Sequence, residues 1–322
     1  MSAVSLSRGA LGRAALILIF VTACRDAVSP PTIAARGFAP RADASVAAAP
    51  SKSVLPTGTG FGINNDPNPP QRTKYRMDYH DKPVLRGGQN LYFIWYGDWS
   101  GADRSLDQQI VGELAASIGN TPYLNIAQLY SDLDGNKASS AVIFGGGVYD
   151  AYSHGSILSE NDIKDIPDQK MLNFELPADP QGIYVVVSSP DVAAAGQGIS
   201  YCATHGVTNL FSMKSRFIYI GGPARSPLRC STQPVGPNGT LNGDGMAYLL
   251  AAELANVLTD PFLNAWYDRI GLEVADKCAW SYGTTFKAAN GSLANVHVGA
   301  RDYLLPPLWV PSKSGGACAL HW

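Results

Sequence analysis

Beyond about residue 74 the chain switches between two spacings of apolar positions. NLYFIWYG (90–97) is a continuous apolar and aromatic run bounded by glycines, which predicts a strand buried on both faces. In ADRSLDQQIVGELAASIG (102–119), Leu106, Ile110, Leu114 and Ile118 recur every fourth residue, the period of a helix with one apolar stripe. SSAVIFGGGVYD (139–150), GIYVVVSSPDV (182–192) and SRFIYIGG (215–222) predict further strands. NDIKDIPDQKMLNFEL (161–176) predicts a helix interrupted near Pro167. The segments carry no internal repeat and no second low-complexity break. They predict one α/β (α+β) domain with a mixed sheet over 74–322.

NGDGMAYLLAAELANVLTDP (242–261) breaks the pattern. Asp244 is the expected N-cap, and Pro261 stops the helix. With Met246 at the origin, Leu249, Leu250 and Val257 fall within about 60° of it, and Glu253 falls about 20° away. A carboxylate is thus centred on the apolar face. Its burial without a partner costs several kcal/mol, so it must be paired, protonated or solvated by a pocket.

The N-terminus bears on compartment. MSAVSLSRGALGRAALILIFVTAC has Arg8 and Arg13 before a short apolar run from Ala14 to Ala23, too short to span a bilayer and fitting a secretory signal over 1–23. Val21-Thr22-Ala23-Cys24 resembles a lipobox, so Cys24 is the expected lipidation site and the membrane a partner through that anchor. Residues 24–73, rich in Pro, Ala, Ser and Gly, have no persistent period and read as a tether. The net charge of −2 gives nucleic-acid binding no electrostatic support. Setting Cys24 aside leaves Cys202, Cys230, Cys278 and Cys318, an even number that suits two disulfides in an exported chain, with three connectivities open. No pair has the C-x₂₋₄-C spacing of a zinc site.

Two resemblances attach to these residues. Zinc peptidases carry H-E-x-x-H on a helix, with ligands at i and i+4 and the glutamate as general base. Here Glu253, Leu254, Ala255, Thr259, Asp260 and Pro261 are similar to a group of secreted zincin-like proteins with the helix His-Glu-Leu-Ala-Glu-x-x-Thr-Asp-Pro. Asn264-Ala265-Trp266-Tyr267-Asp268 and then Glu273, Asp276 and Cys278 continue the likeness. The expected ligand positions hold Ala252, which has no donor atom, and Asn256, a neutral amide. The resemblance implies a zincin-like domain around a former active-site helix whose zinc motif is degenerate.

The second resemblance spans nearly all of 74–322. YHDKPVLRGGQNLYFIWYGDWS (79–100), CATHG (202–206), GPNGTLNGDGMAYLLAAELANVLTDPF (236–262) and GARDYLLPPLWVPSKSGGACAL (299–320) resemble the EXORDIUM-like, or phosphate-induced protein, family. It implies an exported protein with no established reaction, and pairings Cys202–Cys230 and Cys278–Cys318.

Each candidate also has an ordinary role. Glu253 reads as a structural acid bonded to backbone or a tyrosine rather than as a base, because a base without a metal has little to activate. Glu273 and Asp276 default to surface carboxylates, with a shared pocket beside Glu253 as the functional alternative. His205 and His80 read as structural histidines before acid–base or ligand groups, and His154 and His297 have no supporting context. Trp266, Tyr267, Trp280 and Tyr282 offer stacking surface or core packing. No nucleophilic constellation stands out. The leading expectation is a non-catalytic cell-surface module without a cofactor, its cleft binding a peptide or cell-wall glycan. The alternative is a metal-dependent hydrolase (peptidase) with a rearranged zinc site, in which Glu253, Glu273, Asp276 and His205 serve as ligands or base.

Overall fold

The computed structural model describes residues 73–210 and 213–322. The expected signal segment, Cys24 and, apart from Thr73, the tether lie outside the described residues.

Strand β1 (Met77–Tyr79) leads into β2 (Gln89–Tyr96) and helix α1 (Ala102–Ser117). Next come β3 (Val142–Asp150), β4 (Ile157–Leu158), α2 (Glu160–Leu172), β5 (Gly182–Ser188) and β6 (Ala193–Ala194). An antiparallel pair, β7 (Ala203–Leu210) and β8 (Met213–Ile220), precedes the short α3 (Pro227–Cys230), then α4 (Asn242–Thr259) and β9 (Trp266–Asp268). Three small antiparallel pairs follow: β10 (Phe286–Lys287) with β11 (Leu293–Ala294), β12 (Val296–Val298) with β13 (Arg301–Tyr303), and β14 (Leu308–Ser312) with β15 (Gly315–Ala319).

The main sheet is mixed, in the order β3-β2-β5-β8-β7. Its first four strands run parallel and β7 runs antiparallel at the edge. The continuous apolar runs follow from this: β2 and β5 are covered on both faces, so neither side needs polar residues. Leu91, Phe93 and Trp95 of β2 and Ile183, Val185 and Val187 of β5 join the core that contains α1 and α4. The alternate residues, Tyr92, Ile94, Tyr96, Tyr184 and Val186, join the core that contains α2. The mixed sheet of the sequence reading is therefore present, within an α+β arrangement.

Two local expectations are corrected. Pro167 does not interrupt α2, which runs unbroken from Glu160 to Leu172. An internal proline costs about 3 kcal/mol, and both ends of this helix are well tied. Ser159 and Asp162 form a reciprocal capping box. At the other end Glu175 N–H donates to Lys170 O (3.0 Å) and Phe174 N–H to Met171 O (3.1 Å), the paired bonds of a Schellman motif. Asp244 is likewise not the N-cap of α4, which begins at Asn242 with Leu241 in the cap position. The first-turn N–H of Gly243, which has no partner within the helix, is taken by Asp107 Oδ1 of α1 (2.8 Å) and Thr240 Oγ1 (2.9 Å), so a neighbouring helix supplies the cap. A Cβ on Gly243 would lie 2.8 Å from Asp107 Cα, so the two helices meet there only through a glycine.

Helix α4 is buried along its whole length, not on one stripe. Val84, Leu85, Tyr303, Leu304, Leu305, Leu308 and Trp309 share its core, and Leu85 N–H donates to Leu258 O (3.0 Å). A helix enclosed on every side has no polar face to display, which explains MAYLLAAELANVL and makes Glu253 more conspicuous. Cys202 and Cys230 are bonded, tying the entry of β7 to α3, and Cys278 is bonded to Cys318 of β15. Among the described residues, no helix is long and apolar enough to cross a membrane.

Candidate functional site

Glu253, on the C-terminal half of α4, is fully buried, and so is His205 on β7. Their side chains meet, with His205 Nδ1 2.9 Å from Glu253 Oε2. One partner of Glu253 is therefore a histidine on the sheet, a pairing that the sequence did not indicate. The far side of the imidazole faces Glu273, with Nε2 3.5 Å from Oε1. Burial pushes the His205 imidazole down to about 4, which keeps the ring neutral at pH 7.

Glu273 and Asp276 are only 2% and 1% exposed, which corrects the reading of both as surface carboxylates. The reason is the loop after α4, which folds back along the helix through its own acids. Asp260 Oδ1 accepts from the N–H groups of Asn264 and Ala265, both at 2.6 Å. Asp268 Oδ1 accepts from Ile270 and Leu272, each at 3.0 Å, while its Oδ2 holds the buried Lys277 ammonium at 3.0 Å. Asp276 accepts from Glu273 N–H (3.1 Å) and from Asn256 Nδ2 (3.2 Å), and Asn256 Oδ1 accepts from Ala275 N–H (2.8 Å). The Asn-Ala-Trp-Tyr-Asp and Glu-x-x-Asp-x-Cys strings thus encode a loop whose free N–H groups are collected by side-chain oxygens.

Four carboxyl groups, Glu253, Asp260, Glu273 and Asp276, are gathered around one neutral imidazole. Burial, and then the nearby Glu253 charge, pushes the Asp276 carboxyl up to about 7. Burial also raises Asp260. At neutral pH the Asp276 carboxyl therefore keeps part of a proton that an isolated carboxylate would have released.

Asp260 and Glu273 also line a pocket of about 330 Å³, together with Leu263, Tyr267, Ile270 and Gly271. The Tyr267 ring is stacked on His80, with centroids 3.6 Å apart and planes 5° from parallel. Trp266 is not among the residues that line this pocket and takes the core-packing alternative. Neighbouring residues of a strand point to opposite faces, and Trp266 packs on Tyr79 and Tyr130 while its Nε1 donates to Ser131 O. Trp280 and Tyr282 pack against Tyr248, away from the pocket. The sequence reading missed Asp260, Leu263, Ile270 and Gly271 as pocket residues; Asp260 stood in its motif, but nothing local marked it as a wall.

The donor set fits a metal poorly. Ala252 is buried and offers no donor atom, and both ends of the Asn256 amide are engaged by Asp276 and Ala275. Among the described residues, no group of three or more His, Cys, Asp or Glu side chains is arranged to hold an ion. A hydrogen-bonded chain that the sequence did not reveal lies elsewhere, from Ser153 Oγ to His154 Nδ1 (2.9 Å) and from His154 Nε2 to Asp165 (2.9 Å). Ser153 is also held by Asp150 through both its N–H and its Oγ, each at 2.8 Å, which makes the chain a brace between the turn after β3 and α2.

A family model described as "Phosphate-induced protein 1 conserved region" matches residues 77–319. The chain belongs to that family. Within the phosphate-induced protein 1 family it is similar to Protein EXORDIUM-like 3 of Arabidopsis thaliana, 28% identical over 270 residues that cover 73% of this chain and 80% of that protein. Protein EXORDIUM, also of Arabidopsis thaliana, is 27% identical over 287 residues, covering 76% and 88%. Protein PHOSPHATE-INDUCED 1 of Nicotiana tabacum is 26% identical over 277 residues, covering 74% and 86%. No solved structure matches. The family match covers the buried cluster, the pocket and both disulfides.

Proposed function

We propose that this phosphate-induced protein 1 family member is an exported, non-catalytic binding module, anchored through Cys24, that holds a group of a peptide or cell-wall glycan in the pocket beside α4. The observation that carries the reading is the meeting of two buried carboxyl groups, Asp260 and Glu273, with an apolar and aromatic wall of Leu263, Tyr267 and Ile270. Ligand pockets combine such a wall with a few convergent polar groups, and at about 330 Å³ this one is at the small end of their range. It suits one residue or one sugar unit of a longer ligand. The two disulfides support an oxidising compartment.

A hydrolase with a rearranged zinc site draws less support. Of the groups it would use, His205 already lies between Glu253 and Glu273, and both oxygens of Asp276 already accept hydrogen bonds, from Asn256 Nδ2 and Glu273 N–H. The test is binding of the purified protein to peptide and glycan arrays, with Tyr267→Ala as the pocket-directed control. Signal that Tyr267→Ala abolishes supports the reading; silence on both arrays, from folded protein, refutes it. Loss of membrane partitioning in Cys24→Ser tests the anchor.

A further inference from the structure

Resting on that pocket reading, we propose that the group it takes is a protonated primary amine on an apolar stem, the lysine side chain of an extended peptide. Besides the Tyr267 hydroxyl, the polar side chains that line it are carboxyls, and behind Asp260 and Glu273 lie Glu253, Asp276 and the neutral His205. Ionised carboxylates only accept hydrogen bonds, and an ammonium only donates them.

The described basic side chains of neighbouring elements are engaged elsewhere. Of the basic residues on neighbouring elements, Lys214 sits over the Phe262 ring at 5.4 Å and Arg269 over Tyr75 at 4.5 Å. Lys277 pairs with Asp268 at 3.0 Å and lies over Trp309 at 4.6 Å. No basic side chain is among the residues that line the pocket. Burial instead raises Asp260 and Asp276, which favours a positive charge brought beside them. A ligand ammonium at Asp260 and Glu273 would supply it.

The walls fit the rest of such a side chain. Leu263 and Ile270 offer apolar surface to a methylene stem. Tyr267, held by its stack on His80, offers a π face to the cation.

The test is calorimetric titration of the full chain with four probes. They are acetyl-Ala-Lys-Ala-amide, its norleucine analogue, the glucosamine trimer with free amines, and the N-acetylglucosamine trimer. The expected result is binding of the lysine peptide at least about tenfold tighter than the norleucine peptide. Glu273→Gln should weaken it by about tenfold or more. Ile270→Lys, on the exposed rim, should do the same while leaving the thermal midpoint unchanged, which keeps the test valid if Glu273→Gln folds poorly. Equal affinity for lysine and norleucine overturns the proposal. Binding of the glucosamine trimer without the peptide preserves the ammonium and overturns the peptide. Binding of the N-acetylated trimer alone overturns the amine and leaves the pocket reading intact. Binding of none of the probes overturns the amine proposal, and array signal abolished by Tyr267→Ala would show that the pocket reading survives it.

Discussion

Replacing Asp276 by asparagine isolates one buried proton. The carboxyl is raised from 3.8 to about 7, by burial first and by the Glu253 charge second. At 1.36 kcal/mol per pH unit, that difference corresponds to about 4 kcal/mol. Because the folded value is raised, the contribution is fully present below about pH 4, where both folded and unfolded chains carry the proton. Between about pH 4 and pH 7 the unfolded chain releases its proton while the folded chain keeps it, so stability falls with rising pH and levels off above that range. The His205 imidazole, lowered to about 4 by burial, has the opposite sense: stability is lost as pH falls from 6.5 towards 4. It is present in both proteins and largely cancels in their difference. Asparagine does not titrate, and it offers one acceptor where Asp276 accepts from both Asn256 and Glu273 N–H. Asp276→Asn should therefore be less stable than the parent by about 1–3 kcal/mol near pH 4. That gap should close and reverse by about pH 8, a total swing of about 4 kcal/mol. Urea denaturation followed by tryptophan fluorescence at four pH values between these limits measures it. A stability difference that stays constant across the series refutes the buried-proton argument.

Three further outcomes follow from the same structure. Phe174 occupies the left-handed position after α2 (φ 57°) that glycine usually fills, and it is 95% exposed; Phe174→Gly should stabilise the protein by about 1 kcal/mol, read from the denaturation midpoint. A destabilised variant would show that the exposed ring packs on something. Asn256→Ala removes the acceptor of Ala275 N–H and the donor to Asp276, and should cost about 2–4 kcal/mol; a loss under about 1 kcal/mol would mean that water replaces both bonds. Cys278→Ser with Cys318→Ser opens a loop of 40 residues and should cost about 4 kcal/mol, measured by thermal unfolding against the parent with and without reductant.

What could be read from the sequence, and what could not, divides by range. Periodicity within a window of residues placed buried strands in the segments 90–97 and 182–192 and found the amphipathic α1, because each reports whether one or two faces are covered. The same logic flagged Glu253 as an acid in apolar company, and local strings marked Glu273 and Asp276. The sequence could not say that α4 is enclosed on all sides, since that depends on the segments around Leu85 and Trp309, far away along the chain. Nor could it name His205 as the partner of Glu253, which requires β7 to form the sheet edge beside α4. Pro167 and Asp244 were misread for a related reason. Propensity and capping rules weigh the local alternatives, and here a Schellman end on one helix and a carboxylate from α1 on the other tipped the balance. The sequence by itself determined the alternation of elements, the even cysteine set and the family resemblance. Only the tertiary structure decided which acids share an imidazole and which face a pocket, because charge, burial and protonation depend on neighbours in space.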